Sequence, residues 1–504
     1  MPRRRASPSP SHPPSPAVTL DELLARCGEP PRAAVSIAGL TADSRAVRPG
    51  FLFAALPGAR TDGARFLAEA VAAGAAAVLA PPGLAWPEGV PRLPVVESAD
   101  PRALLARLAA AFHGAQPEVV VAVTGTNGKT STVEFLRQLL AGAGHRAASL
   151  GTLGLVAEGF PPGESLTTPE PVTLHATLAA LARAGVTHLA MEASSHGLDQ
   201  RRLEGVRLAA AGFTNLTRDH LDYHGSMAAY RAAKLRLFEA LLPAGAPAVF
   251  HADMEPETLA ALRAIAQHRG LRTIEVGEAA RDIRLLGQTP LPRGQRLLLE
   301  MEGARAEVEL ALPGRFQADN VLVATGLARG LGLPRERLLA LLPGLVGVRG
   351  RMELAATLPN GAAVYVDYAH TPDALARLLA ALRPHVGPGA RLHVLFGAGG
   401  ERDPGKRPLM GAAAAAAADM VWITDDNPRG EDPAAIRAAI LAAAPGARDA
   451  GPREAAIAAA LAALGPGDVL AVAGKGHESG QTIAGVTHPF DDVEVVRRLA
   501  GGGP

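Results

Sequence analysis

Val119-Val120-Val121-Ala122-Val123-Thr124-Gly125-Thr126-Asn127-Gly128-Lys129-Thr130 is the run on which the fold of this chain turns. The apolar stretch Val119–Val123 reads as a buried parallel strand. A glycine-bearing turn follows, and Lys129-Thr130 opens a segment with Val133, Leu136 and Leu140 at helical spacing. Strand, glycine turn, helix is the geometry of a phosphate-binding loop, in which backbone N–H groups and the positive helix end face an anion. In that reading Lys129 reaches the terminal phosphates and the Thr130 hydroxyl sits on Mg²⁺. The full Walker A pattern wants glycine at position 123, where this chain has Val123. A plain strand-to-helix turn is the bland alternative.

Outward from this run, strands alternate with helices from about Glu118 to Val348, which implies a mostly parallel sheet. The pattern predicts strands at Val186–Met191 (ending at Glu192), Gly212–Leu216, Ala246–His251 and Thr273–Val276. It predicts helices over Tyr230–Leu242 and Asn320–Gly330, with extended segments over Leu285–Leu312. Before the run, Val18 to Pro117 reads as a small α/β unit with helices at Leu20–Arg26, Ala64–Ala73 and Pro101–His113 and strands at Gly50–Leu56 and Ala76–Leu79. From Arg349 the alternation restarts, with strands at Ala363–Val366, Leu392–Phe396, Met420–Thr424 and Val469–Ala473. Helices there are expected at Pro372–Leu382, Gly411–Ala418, Ala434–Ala443 and Glu454–Leu464. The expected divisions are therefore 1–17, 18–117, 118–348 and 349–504, and the fold class is α/β. In open α/β sheets ligands sit outside the carboxyl ends of the strands.

Composition sets bounds on function. With 504 residues, 48% hydrophobic and 20% charged, the chain reads as a soluble globular protein of about three domains. Fifty basic side chains nearly cancel 49 acidic ones, so no nucleic-acid footprint appears. Cys27 is the single cysteine, which excludes an internal disulfide and agrees with a reducing, cytoplasmic compartment. No apolar run is long enough to span a bilayer, so no membrane partner is expected. Residues 1–17 are Pro/Ser/Arg-rich, lack a signal peptide's apolar middle, and read as a disordered tail.

Polar clusters follow the predicted strands. Thr217–Gly225 (TRDHLDYHG) concentrates acids and histidines. Mg²⁺ takes oxygen ligands and keeps waters, so Glu192 at a neighbouring strand end is the best carboxylate; His220 is a less usual ligand for so hard an ion. Lys234, in a helix pattern, reads on its own as a solvated charge. Asp425-Asp426-Asn427-Pro428-Arg429 is either a turn or a recognition loop, in which Arg429 forks onto a carboxylate while Asp and Asn accept from an ammonium. Gly474-Lys475-Gly476-His477-Glu478, Gly399–Asp403 with Lys406-Arg407-Pro408, and Asp367–Asp373 are further clusters of this kind.

Taken together, these stretches resemble the Mur ligases of peptidoglycan synthesis, and among them the members that add meso-diaminopimelate. The likeness runs from about Val18 to Gly501 and is carried by Thr124–Thr130 (TGTNGKT), Thr217–Gly225, Asp367–Asp373 (DYAHTPD), Asp426–Arg429 (DNPR) and Gly474–Glu478 (GKGHE), in the family's order. The resemblance implies three domains: one for the UDP moiety, a central P-loop ATPase domain of mostly parallel sheet, and a C-terminal Rossmann-like α/β domain for the incoming amino acid. It implies ATP on Gly125, Thr126, Asn127, Gly128, Lys129 and Thr130, with the adenine near Asn320 and further contacts at Arg351 and Asp367. It gives Mg²⁺ to Thr130, Glu192, His220 and a carbamylated Lys234, which replaces the bland reading of that lysine. Lys129, Lys234 and His220 form the implied catalytic set. Ser44, Thr167, Thr168, Ser194, Gln200 and Arg202 fall to the UDP-N-acetylmuramoyl dipeptide. Arg402, Asp426, Asn427, Pro428, Arg429, Gly474 and Glu478 fall to meso-diaminopimelate. The implied enzyme acts as a monomer and uses ATP to join a carboxylate to an amine.

Three rivals remain. Folylpolyglutamate synthase has a similar phosphate loop but lacks the N-terminal UDP-binding domain, whereas a domain-sized stretch precedes the loop here. Lysine-adding Mur ligases replace the DNPR motif. A regulatory NTP-binding switch would lack ligase activity altogether.

Overall fold

The computed structural model describes residues 18–58, 62–161 and 166–501. The expected tail, 1–17, lies outside the described residues. At the N-terminal end, β1 (Val18–Thr19) pairs antiparallel with β2 (Ser36–Ile37). Four short parallel strands then form a sheet in chain order: β3 (Gly39–Thr41), β4 (Phe51–Ala54), β5 (Ala77–Ala80) and β6 (Val95–Glu97). The expected helix Ala64–Ala73 divides into a 3-10 turn, Gly63–Phe66, and a helix, Leu67–Ala72. Helix Pro101–His113 begins with Pro at its first position and the Asp100 carboxylate capping Ala103 N–H, both ordinary start signals.

The central sheet has ten strands. They are β7 (Val119–Thr124), β8 (Ala147–Gly151), β9 (Gly154–Val156), β10 (His188–Glu192), β11 (Leu208–Phe213), β12 (Pro247–His251), β13 (Arg272–Gly277), β14 (Ile283–Leu291), β15 (Gly294–Met301) and β16 (Ala304–Leu310). The order is β16-β15-β14-β13-β12-β11-β7-β10-β8-β9, parallel from β8 through β14 and antiparallel where β9, β15 and β16 are added. β7 lies inside this sheet and is buried on both faces. Val121 and Val123 pack with helices Lys129–Gly142 and Arg315–Gly330, while Val120 and Ala122 face the core around helix Pro171–Arg183. That two-sided burial is why the run is continuously apolar.

The C-terminal sheet comprises β17 (Glu353–Thr357), β18 (Ala363–Asp367), β19 (Leu392–Phe396), β20 (Met420–Thr424), β21 (Arg448–Gly451) and β22 (Val469–Ala473). Its order is β17-β18-β22-β19-β20-β21, parallel except for β17. A separate hairpin, β23 (Gly480–Ile483) and β24 (Val486–Pro489), follows. No helix among the described residues is long and apolar enough to cross a membrane.

Several expected elements move. The strand expected at Gly212–Leu216 is Leu208–Phe213. Its first half, Leu-Ala-Ala-Ala, has weak strand propensity, but pairing between β7 and β12 decides it. The helix expected from Asn320 starts at Arg315. The expected Tyr230–Leu242 helix is an α-helix over Met227–Arg236 running into a π-turn over Leu237–Leu241. Within the expected loop Thr217–Gly225, Leu221–His224 form a helical turn. β8, helices Pro171–Arg183 and Pro256–Arg269, and the β23–β24 hairpin were not expected at all.

Candidate functional site

The loop after β7 is built by close backbone approach. Gly125 (φ +141°) and Gly128 (φ +83°) adopt positive φ, and a side chain on either would strike Thr214 or Asn320. The segment after β11 pins the loop: Thr126 N–H donates to Asn215 O (2.8 Å), Asn127 N–H to Asn215 Oδ1 (3.0 Å), and Thr214 Oγ1 to Asn127 O (2.6 Å). Those two amides are therefore engaged, and the free N–H groups at the start of helix Lys129–Gly142 remain for an anion. Val123, where the Walker A pattern has glycine, is a fully buried strand residue. The glycines of the turn lie beyond it.

Two ammonium groups converge beneath this loop. Lys129 Nζ donates to Gly125 O (3.0 Å) and Thr126 O (2.9 Å), and Lys234 Nζ donates to the same Gly125 O (2.7 Å). Lys234 is 1% exposed and lies 4.6 Å from the Tyr230 ring centroid. Burial, and then the neighbouring Lys129 charge, push its ammonium well below the usual lysine range. Burial also lowers Lys129, against the opposing pull of Glu192. Among the described residues neither lysine forms an ion pair. Two buried cations without a counterion fit a polyanionic ligand at the loop.

Thr130 Oγ1 donates to Glu192 Oε1 at 2.9 Å, so a hydroxyl at the start of helix Lys129–Gly142 and a carboxylate at the end of β10 meet as oxygen ligands. Among the described residues no group of three His, Cys, Asp or Glu side chains is placed to hold a metal ion. A hydroxyl and one carboxylate suit Mg²⁺, which completes its shell with water and phosphate oxygens. His220 is half exposed, at φ +52°, with its ring 4.9 Å from that of His196 and Nε2 3.5 Å from Asp219 Oδ2. Among the described residues no hydrogen bond or ion pair joins it to Thr130 or Glu192. Its tie to the loop runs through Tyr230, whose hydroxyl meets Thr126 Oγ1 at 3.2 Å.

Thr167, Thr168 and Ser194, expected to hold the dipeptide, gather around Glu192 together with Thr152, which was not expected. Thr152 N–H donates to Glu192 Oε1 (2.8 Å), and Thr152 Oγ1 meets Thr167 Oγ1 (3.0 Å). Thr168 Oγ1 donates to Glu192 O (2.9 Å) and accepts from Ser194 N–H (2.9 Å). Arg202 bonds Thr168 O and Gln200 Oε1, both at 2.6 Å, and pairs with Glu170 at 2.7 Å. Ser44 stands apart, donating to Glu69 at 3.1 Å in the N-terminal unit.

A second cluster lies at the carboxyl ends of the C-terminal strands. Asn427 Nδ2 donates to Glu478 Oε2 (2.9 Å), joining the loops after β20 and β22. A Cβ on Gly474 (φ +116°) would lie 2.6 Å from Asp426 Oδ2, so glycine lets that buried carboxylate approach. Arg429 Nη1 donates to Gly400 O (2.6 Å), and both Arg429 and Arg402 flank Gly399. Gly400 approaches the Pro428 carbonyl too closely for a side chain. Between the two sites, Arg351 stacks 4.9 Å over the Tyr368 ring and Asp367 accepts from Met352 N–H (2.7 Å) and Ala369 N–H (2.8 Å). Burial raises the Asp367 carboxyl despite Arg351. Asn320 is buried against Gly128 and bonds Gln317 (3.4 Å), which in turn reaches Arg351 O (3.4 Å). Sequence reasoning missed Asn215, Tyr230 and Gln317, which carry no motif signal. It also passed over Lys475, although that residue stands inside a quoted motif.

Comparison with known proteins covers nearly the whole chain. Residues 36–113 match the family model described as Mur ligase family, catalytic domain; 123–328 match Mur ligase middle domain; 350–476 match Mur ligase, glutamate ligase domain. The UDP-N-acetylmuramoyl-L-alanyl-D-glutamate--2,6-diaminopimelate ligase of Caulobacter vibrioides is 56% identical over 92% of this chain and 96% of its own. The protein of the same name from Chelativorans sp. is 52% identical over 92% and 94%. A solved structure with that name superposes at a TM-score of 0.71 with 33% identity, covering 96% of this chain and 99% of that one. Folylpolyglutamate synthase of Mycobacterium tuberculosis is similar in fold, at a TM-score of 0.59 with 20% identity over 80% of this chain and 95% of its own.

Proposed function

The chain belongs to the Mur ligase family, and from that premise we propose that it ligates meso-diaminopimelate to UDP-N-acetylmuramoyl-L-alanyl-D-glutamate in peptidoglycan synthesis, using ATP. The observation that carries the ligase reading is the pair of buried ammonium groups, Lys129 and Lys234, converging without a counterion on the Gly125 carbonyl. The choice of acceptor rests on the relatives' shared name and on the arginines around Gly399. ATP with Mg²⁺ supplies the phosphoryl group that converts the D-glutamyl γ-carboxylate into an acyl phosphate. The chain's own residues make that step possible. Lys129 and the amides of its helix offset charge where two anions must approach. Thr130 and Glu192 present oxygen ligands for the divalent ion. Thr152 N–H bonds the Glu192 carboxylate, Thr168 bonds the Glu192 backbone carbonyl and Arg202 in turn bonds Thr168 O, so the dipeptide side adjoins the divalent-ion side at Glu192. Arg429 and Arg402 meet a carboxylate of the acceptor while Asp426 and Glu478 accept from its ammonium. The divisions at 117/118 and 348/349 separate the UDP-binding, ATP-binding and amino-acid-binding parts. The enzyme works as a monomer in the cytoplasm, where ATP and its UDP-linked substrate are present.

A ligation assay tests this reading. The dipeptide substrate and ATP are supplied with diaminopimelate, L-lysine or L-glutamate in separate reactions. ADP release that requires both the UDP-linked dipeptide and diaminopimelate is expected. Equal use of lysine would move the chain to the lysine-adding members, use of glutamate on a folate substrate would move it to the folylpolyglutamate type, and ADP release without any acceptor would leave a nucleotide switch.

A further inference from the structure

We propose that Lys475 is a positioning residue for the acceptor amino acid, holding Asn427 and Glu478 in place from beneath the two loops. The proposal rests on the reading of this cluster as the diaminopimelate site. Lys475 is 0% exposed, yet it carries a charge. Its ammonium has three protons, and three acceptors receive them: Gly480 O at 2.6 Å and Glu478 Oε2 at 3.1 Å from the stretch that follows it, and Asn427 Oδ1 at 3.4 Å from the loop after β20. The flanking Gly474 and Gly476 both take positive φ (+116° and +55°). That double turn sends the lysine inward, and the flanking glycines are themselves buried.

The consequences reach the ligand-facing atoms. Asn427 Oδ1 accepts from Lys475 and from Thr482 N–H (2.9 Å), so its amide group has one orientation, with Nδ2 directed at Glu478 Oε2. Glu478 Oε2 thus receives both Lys475 and Asn427, and Oε1 is left for a ligand on a side chain 35% exposed. Asp426 is buried and forms neither an ion pair nor a side-chain hydrogen bond among the described residues. Lys475 therefore balances one of the two carboxylates internally and sets its free oxygen relative to the other. Stability alone does not account for the arrangement, because an apolar side chain in place of a buried ion pair is often neutral or stabilising. The competing reading is a staple that merely fastens the β23–β24 hairpin through Gly480 O.

The test uses the full chain with Lys475→Met, which removes charge and donors at similar volume, and Lys475→Gln, which keeps a donor. Steady-state KM is measured for diaminopimelate, ATP and the UDP-linked dipeptide. Lys475→Met is expected to raise KM for diaminopimelate by about 10-fold or more while the other two KM values stay within about twofold. Lys475→Gln falls between. Combined with Glu478→Gln, Lys475→Met adds less than its single effect, since both act through one carboxylate. Parallel rises in all three KM values, multiplicative effects in the double variant, or loss of the folded state in both single variants would assign Lys475 to the hairpin and overturn the proposal. Wild-type enzyme that does not ligate diaminopimelate overturns the functional reading. Wild-type enzyme that does, beside unaltered Lys475 variants, overturns the positioning role alone.

Discussion

Gly125 O receives both Lys129 and Lys234, and two like charges in one buried corner cannot both be comfortable. The strain falls on Lys234, whose ammonium is pushed well below the lysine range by burial and by Lys129. A lysine so shifted gives up its proton more readily than a free one, and the neutral amine adds CO₂, releasing a proton, to form a carbamate. Carbamylation would replace a cation by an oxygen-bearing anion suited to Mg²⁺. Activity is therefore expected to fall in CO₂-depleted buffer and to return with bicarbonate. Lys234→Ala should be nearly inactive and partly rescued by formate or acetate; full turnover without CO₂ would sink the idea. Lys129→Ala removes the charge proposed to face the phosphates. Its turnover is expected to drop by about 10² or more with an unchanged melting temperature, and near-normal ligation would remove the phosphate-loop assignment.

The β23–β24 hairpin shapes the recognition loop after β20. Arg429 N–H donates to Thr482 O (3.0 Å) and Ala484 N–H to Arg429 O (2.6 Å), clasping a non-glycine residue at φ +53°. Holding a residue with a Cβ there costs about 1 kcal/mol or more, and such positions concentrate at ligand clamps. The clasp aims the guanidinium across Gly399 toward Arg402. Meso-diaminopimelate differs from lysine by a distal carboxylate, so on the proposed reading a cation at this spot would discriminate between them. Arg429→Ala is expected to raise KM for diaminopimelate by about 10², leave KM for ATP unchanged, and narrow the preference over lysine. Kinetics with both amino acids check this, and a preference that survives intact would exclude Arg429 as its source.

Contacts between the sheets involve buried histidines. His385 accepts Gly314 N–H at Nε2 (3.0 Å), so Nδ1 carries the proton and donates to Leu291 O (2.7 Å), fastening the C-terminal unit to the central one. Protonation would set N–H against N–H, and burial lowers its pKa. His175, bonded to Glu204 O (2.9 Å) on the helix facing Pro101–His113, is pushed down to about 4, chiefly by burial. Both folded-state values lie below the unfolded 6.5, so the folded chain binds fewer protons. Their contribution is complete above pH 6.5 and is lost as pH falls below it; for His175 the loss runs toward about 4 and is on the order of 3 kcal/mol. Thermal melts from pH 7 to 4 should show a falling melting temperature, with a shallower slope for His175→Gln. An identical slope in that variant would rule out His175 as a contributor.

The sequence by itself determined the α/β class, the ends of β19, β20 and β22, and helices Pro101–His113 and Pro372–Leu382. Buried parallel strands are unbroken apolar runs, and Pro and Asp or Thr mark helix starts, so both signals are local. The phosphate loop was legible for the same reason, since its glycines, lysine and threonine are contiguous. Tertiary structure alone placed β11 over an alanine-rich segment, because its pairing partners lie far away in sequence. It alone set Lys234 against a carbonyl 109 residues distant. Helical spacing describes which residues share a face, but not whether that face meets water or a buried loop. Lys475 was hidden likewise: the motif shows the glycines around it, while its burial and its bond to Asn427, 48 residues away, arise only when the loops after β20 and β22 fold against one another.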